Sequence, residues 1–294
     1  MLLKNATESM IRRSKIIEEI IRIEKPELLD AFYTYENESR FARKLIDNNL
    51  QSLSKNSEIM EVGAGILSLA TQLASEGYKV TAIEPAAIGF SSIEFILQKY
   101  LEQSKNENVS FSFVNKQVEL CNFDHHFDFI YSINVMEHLQ NPYQVIIDLC
   151  QNLTYSGKYQ FYCPNYNFPY EPHFKKFIFR YKNGNFFLTK QSIKNEISKN
   201  LSSVDIFDSL NYITYTKIFE FIKDYDLVLV PNKFTFKNLL TRALDDPILS
   251  ARHSILYKIV KFFSRLKLIK IFSHFPIEYA PVIDAEIRRK NRFL

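Results

Sequence analysis

The chain has no tryptophan, only six glycines and only three cysteines in 294 residues, and each shortage narrows what it can be. Cys121, Cys150 and Cys163 are odd in number, scattered and in no metal-ligand spacing. That excludes a disulfide-stapled scaffold and a zinc finger, and the three read as buried, reduced thiols. No uninterrupted apolar run approaches the ~18–20 residues that span a bilayer. Polar residues follow Met1-Leu2-Leu3 at once, so no signal peptide is expected, and the protein is expected to be soluble and cytoplasmic. Internal repeats and low-complexity tracts are missing too, which excludes solenoids.

What is present is ordinary for a globular protein: 46% apolar and 24% charged residues, in a chain long enough to bury one large core with additions. The aromatic share of 15% comes from 26 Phe and 17 Tyr. The net charge of +4 hides an asymmetry, because from Ser250 onward ten Lys/Arg face three Asp/Glu, leaving 27 against 30 elsewhere. The basicity belongs to the tail.

The rest is organised around Ser57 to Glu84. Ile59, Met60 and Val62 make a short apolar strand, Gly63-Ala64-Gly65 a tight turn, and Leu69, Ala70, Leu73 and Ala74 recur at helical spacing. Gly77 stops the helix, and Tyr78 to Ile83 reads as a second strand closed by Glu84. This is the layout of a nucleoside-binding half of an open α/β sheet. A pyrophosphate loop wants a third glycine where this chain has Ser68, and Glu61 before the glycines would repel a pyrophosphate and welcome a cation.

The run E-V-G-A-G-I-L followed by V-T-A-I-E-P resembles motif I and the acidic motif of class I S-adenosylmethionine-dependent methyltransferases. Downstream, F-D-F-I-Y-S-I-N-V-M-E-H-L at Phe127–Leu139 is similar to the fourth-strand motif of many small-molecule members. The resemblance runs from about Ser57 to Asn165. It implies a Rossmann-like α/β fold with a mostly parallel sheet whose last strand is antiparallel, and S-adenosyl-L-methionine as cofactor. It also implies a cofactor-binding set of Glu61, Gly63, Ala64, Gly65, Leu67, Glu84, Pro85, Gln117, Asn134 and Val135, with Glu84 on the ribose hydroxyls and Gln117 at the adenine amine. Helices ahead of motif I can supply a cation or a hydroxyl to the methionine carboxylate in that family; Tyr33, Tyr35 and Arg40 lie around the start of the second helix, and Arg40 is the candidate here.

In chain order, an amphipathic helix is expected over Glu8–Glu24, ended by Pro26, and a second over Ser39–Asn49. Helices over Ile93–Leu101 and Asn141–Leu153 alternate with strands at Val109–Val114, Phe127–Ile133 and Lys158–Cys163, with a turn at Ser156-Gly157. Three prolines between Pro164 and Pro172 forbid helix and strand, so Pro164–Phe174 is read as a rigid loop. A helix over Leu188–Asn200 and a sixth strand at Val204–Phe207 come next. Helices over Ile213–Lys223, Asn232–Leu244 and Ser250–Phe272 form a C-terminal cap over the sheet edge, and Tyr279–Arg288 is the last strand. The expected divisions are 1–50 (N-terminal helices), 51–210 (cofactor-binding core), 211–276 (cap) and 277–294 (last strand and tail).

A sulfonium cofactor already carries an activated methyl group, so the protein has to place an acceptor and, for weak nucleophiles, remove a proton. His138 suits proton transfer near neutral pH. It and Glu137 could equally shape the cofactor loop and cap the next helix. His173, with Tyr170 and Glu171, is the second catalytic candidate. No metal is required, and the adjacent pair His125-His126 reads as solvated. Transfer to O or N of a small-molecule acceptor, sugar-type metabolites included, is the expected reaction. A membrane-surface enzyme with a lipid-linked acceptor, peripheral through the basic helix 250–272, remains open, as does another nucleoside-binding enzyme of this fold. No RNA-module pattern of aromatic and basic residues is present, so nucleic acid is not an expected partner.

Overall fold

The computed structural model describes residues 2–85, 91–171, 173, 176–177, 208–232, 235, 238–240, 244, 254–265 and 276–290. The chain divides into two compact units, Met1–Ile133 with Asp148–Gln160, and Asn134–Ile147 with Phe161–Leu294.

In the first unit, α1 (Leu2–Glu24) and α2 (Leu29–Gln51) are separated by a 3-10 turn at Pro26–Leu28. Pro26 occupies the first position of that turn, where its missing N–H leaves no partner wanting. The second helix starts ten residues earlier than expected because nothing after Pro26 breaks it, and Phe32, Ala42, Ile46 and Leu50 share its buried face. β1 (Glu58–Val62), α3 (Ser68–Ser75) and β2 (Lys79–Ile83) form the expected right-handed unit, with Val62 opposite Ile83 in parallel register. α4 (Ser91–Asn106) leads to β3 (Ser112–Val114), parallel to β2. β4 (Phe127–Ile133) pairs parallel with β1 on its other side. Ile59, Met60, Val62, Phe129, Ile130 and Tyr131 are all buried, as strands covered on both faces require. Arg13 on α1 is buried as well, and its guanidinium holds Glu107 at 2.5 Å.

α5 (Pro142–Gln151) precedes β5 (Leu153–Pro164), which starts five residues before the expected strand. Gly157 is no turn: it lies inside β5, where a Cβ would stand 2.8 Å from the Phe127 carbonyl oxygen. Glycine permits that close approach between backbones.

In the second unit, the proline-rich segment contains a small antiparallel ribbon, β6 (Tyr170–Glu171) paired with β7 (Lys176–Phe177). The expectation of a loop without strand is corrected here. Two residues fit between Pro169 and Pro172 without asking either proline to donate. α6 (Tyr215–Ile222) and α7 (Ser254–Arg265) lie within expected helices. β8 (Leu227–Pro231) was not anticipated, and it pairs antiparallel with β9 (Val282–Arg289), the expected last strand. Most of Asn232–Leu244, and all of the readings at Leu188–Asn200 and Val204–Phe207, lie outside the described residues. The hydrogen-bonded order of the seven-stranded sheet is β3-β2-β1-β4-β5-β9-β8. No described helix is long and apolar enough to cross a membrane.

Candidate functional site

In the first unit the main chain curls back at the end of β1. Gly63 and Ala64 donate their N–H groups to the Ile83 carbonyl at 2.8 and 3.0 Å, and Gly65 donates to Glu84 Oε2 at 2.8 Å. Gly63 and Gly65 take φ of 75° and 53°, a region glycine enters freely. Leu67 takes φ 65° as the cap of α3, a conformation that costs a non-glycine residue about 1–2 kcal/mol. Its side chain is fully buried. The acid closing β2 is thus fastened to the turn that follows β1. Tyr35 of α2 covers that turn, its ring 3.6 Å from where a Cβ on Gly65 would be.

Glu61 is 6% exposed. Burial, with a smaller push from Glu84, raises its carboxyl to about 8, against opposing hydrogen bonding from Tyr131 and the Ala70 N–H. Its Oε2 and the Tyr131 hydroxyl are nonetheless buried without a hydrogen bond of normal geometry. Burial thus disfavours the charged form of Glu61, and a nearby cation would favour it. Burial also raises the Glu84 carboxyl, with the Gly65 N–H opposing.

Glu84 and Pro85 are half-buried at the end of β2. Gln117 begins the 3-10 turn Val118–Leu120, its carbonyl accepting from the Leu120 N–H at 3.0 Å. Arg40 lies half-exposed on α2, 3.6 Å from Glu36 and 3.5 Å from the Ser14 hydroxyl. It answers a buried carboxylate of its own helix, which also accepts a short hydrogen bond from Tyr100. A groove of about 740 Å³ in this unit, lined by Arg13, Arg43, Glu76 and Glu107 among others, shares no residue with the glycine turn. Its Arg13 and Arg43 are already held by carboxylates.

The second unit begins at Asn134, directly after β4. Asn134 takes φ 56° and donates its N–H to the Tyr162 carbonyl at 2.7 Å. After Val135, residues Met136–His138 form a 3-10 turn. Asn211 clamps it: its Nδ2 donates to the carbonyls of Met136 (2.6 Å) and Leu139 (2.9 Å), and its N–H to that of Glu137 (3.0 Å). Glu137 is 1% exposed, whereas the His138 side chain is 41% exposed. The His138 and His173 rings meet edge-on with centroids 5.3 Å apart. The buried Cys163 thiol is pushed up by desolvation and, secondarily, by Glu137.

The structure thus brings His138 and His173 together. Tyr170 is half-buried on β6, and Glu171 is described only through its backbone there. Asn211 is a positioning residue that the sequence reading did not select, since no spacing rule links it to a turn more than seventy residues earlier. Tyr35 was named there beside Arg40 as a possible hydroxyl, and it is Tyr35 whose ring lies over Gly65.

Known proteins similar to this chain fall in one family. A family profile described as a methyltransferase domain matches residues 33–199, more than half of the chain. An uncharacterized protein of Mycobacterium tuberculosis is 32% identical over 258 residues, covering 86% of each chain. The ubiquinone biosynthesis O-methyltransferase of Rickettsia conorii is 27% identical over 100 residues, 34% of this chain and 32% of that one. Among solved structures, the plantazolicin methyltransferase BpumL is 11% identical, covers 98% of this chain and 99% of its own, and superposes with a TM-score of 0.48. With the glycine turn, the acid at the end of β2 and a family profile over most of the described core, the chain belongs to the methyltransferase-domain family and is a class I S-adenosylmethionine-dependent methyltransferase.

Proposed function

We propose that this enzyme transfers the methyl group of S-adenosylmethionine to an oxygen or nitrogen of a small-molecule acceptor, sugar-type metabolites being one class. The observation that carries the reading is Glu84. One carboxylate oxygen accepts from Gly65, and the other carries no bond to a described residue, which suits it to the ribose hydroxyls. Gly63, Ala64, Gly65 and Leu67 let the backbone approach the cofactor, and Gln117 takes the adenine amine. Pro85 lines the same turn, and the resemblance adds Asn134 and Val135 to the cofactor-binding set. Glu61 lies beneath the methionine portion and gains its charge when the cationic cofactor arrives. Arg40 was expected at the methionine carboxylate, and Tyr35 shares that place. His138 or His173 removes the acceptor's proton, with Tyr170 and Glu171 orienting it. Titration calorimetry tests the reading: the wild type should bind S-adenosylmethionine or S-adenosylhomocysteine. Tight NADH binding with no response to either ligand would refute it.

A second reading rests on α7. Lys258, Lys261, Phe262 and Arg265 are all exposed, Phe262 to 59%, while Val260 is buried. At 100° per residue these four fall within one arc, a phenylalanine among three cations, as on helices that lie on anionic bilayers. The acceptor would then be lipid-linked. Flotation with anionic liposomes should show binding that weakens with salt and disappears when the three cations are replaced. Absence of flotation at low salt leaves the soluble-acceptor reading.

A further inference from the structure

Glu137, His138 and His173 each turn a metal-ligating atom toward one small volume. One carboxylate oxygen and one ring nitrogen from each histidine all lie within 4.8 Å of one another. His138 Nε2 stands 3.9 Å from Glu137 Oε1. From this convergence we propose that the three side chains form a binding site for a borderline divalent transition-metal ion, of the zinc, manganese or cobalt class.

The donor set decides the class of ion. Two imidazoles and one carboxylate suit borderline transition metals, whereas magnesium and calcium prefer oxygen donors throughout. Bonds of about 2.0–2.1 Å in a tetrahedral site place donor atoms about 3.3 Å apart. The present spacing exceeds that value by at most about 1.5 Å. The backbone under two of the donors is well braced, since Asn211 holds the carbonyls of Met136, Glu137 and Leu139. The third donor, His173, lies in the chain between the paired strands β6 and β7. Glu137 supplies a buried inner wall, and His138 leaves the outer side open. Three protein ligands with a position left over is the pattern of catalytic rather than structural sites.

The ion's role, unlike its binding, rests on the methyl-transfer reading. An acceptor hydroxyl would take the open position through its oxygen and release its proton to water. An oxygen lone pair then forms the O–CH3 bond as the S–CH3 bond breaks. That bond's electron pair stays on sulfur, giving S-adenosylhomocysteine, and the ion keeps its oxidation state. With the ion bound, the two histidines act as its ligands, and this role is the alternative to the imidazole base named under the transfer reading.

The test is metal binding by the full-length, chelator-stripped protein, titrated with Co2+ alone and followed by visible absorption and equilibrium dialysis. One ion per chain is expected, with affinity falling about 10²-fold or more in His173→Ala, since loss of an outer-shell partner alone costs 10–100-fold. His138→Ala is the second variant, each checked for folding by circular dichroism. Failure of the wild type to bind stoichiometrically would overturn the site, as would unchanged affinity in both variants. Calorimetry with S-adenosylmethionine on the same protein separates the two proposals. Cofactor binding without Co2+ binding refutes the metal site alone, and Co2+ binding without cofactor binding refutes the transfer reading alone.

Discussion

The glycine turn of the first unit is held largely by main chain, whereas the histidine pair of the second unit depends on side chains from three separate segments. At the turn, Gly63, Ala64 and Gly65 find every partner within one strand–helix–strand unit, and a single carboxylate, Glu84, closes it. Around His138, the turn is held by the side chain of Asn211, and the second imidazole comes from between the strands of the β6–β7 ribbon. Main-chain anchoring is indifferent to most substitutions. Side-chain anchoring can be cut at one residue. On the proposed function, the first arrangement would hold the cofactor and the second would face the acceptor.

The largest effect should come from cutting the second anchor. Asn211→Ala removes two hydrogen bonds to the Met136–Leu139 turn, and a displacement of about 1 Å at a reacting group can lower turnover about 10²-fold. Steady-state kinetics should show that loss while calorimetric affinity for S-adenosylmethionine stays nearly constant. If affinity falls along with turnover, the two centres are not independently anchored. Next in size is the one side chain on which the first centre relies. Glu84→Ala should weaken cofactor binding by about 1.5–3 kcal/mol, the range for a charged hydrogen-bond partner. An unchanged Kd would mean that the main chain alone binds.

The smallest is a slope. Glu61 has a folded value of about 8 against 4.5 for the free carboxyl, so between those pH values the folded state holds a proton that the unfolded state has lost. Its stabilising contribution is full below about 4.5 and disappears as pH rises toward 8, at no more than about 1.4 kcal/mol per pH unit. Glu84, raised in the same direction, adds to the slope. Urea denaturation of the cofactor-free protein at pH 5.5 and 7.5 should show this fall, and Glu61→Gln should flatten it. Equal slopes in the two proteins would remove Glu61 as its source.

The first centre was legible because its residues are neighbours in sequence: strand, turn, helix and acid follow one another from Ile59 to Glu84. What burial does to Glu61 was not legible, since the desolvation comes from elements far along the chain. The second centre was half legible. His138 stands in a recognisable run, but its meeting with His173 depends on a ribbon that three prolines disguised as loop. A search by ligand spacing could not link Glu137-His138 to a histidine 35 residues on. Gly157 and β8 were missed for a related reason. A glycine required by the approach of Phe127, and a strand specified by pairing with β9, are consequences of partners rather than of local pattern.

The N-terminal helices have a consequence for how the molecule is made. Ile17 and Ile21 of α1 are fully buried, α1 packs against α3 and α4, and Arg13 closes on Glu107 just beyond α4. On the ribosome, α1 and α2 therefore emerge with only each other to pack against, well before α3 and α4 are made. At about 5–20 residues per second, the roughly 55 residues from the end of α2 to Glu107 take on the order of 3–10 s to synthesise. During that interval the nascent chain carries an uncovered aliphatic face and an arginine destined for burial. The pair with Glu107 therefore cannot close until α4 has been made, and a pause in translation after α2 would lengthen the exposure of α1 to chaperones and to other nascent chains.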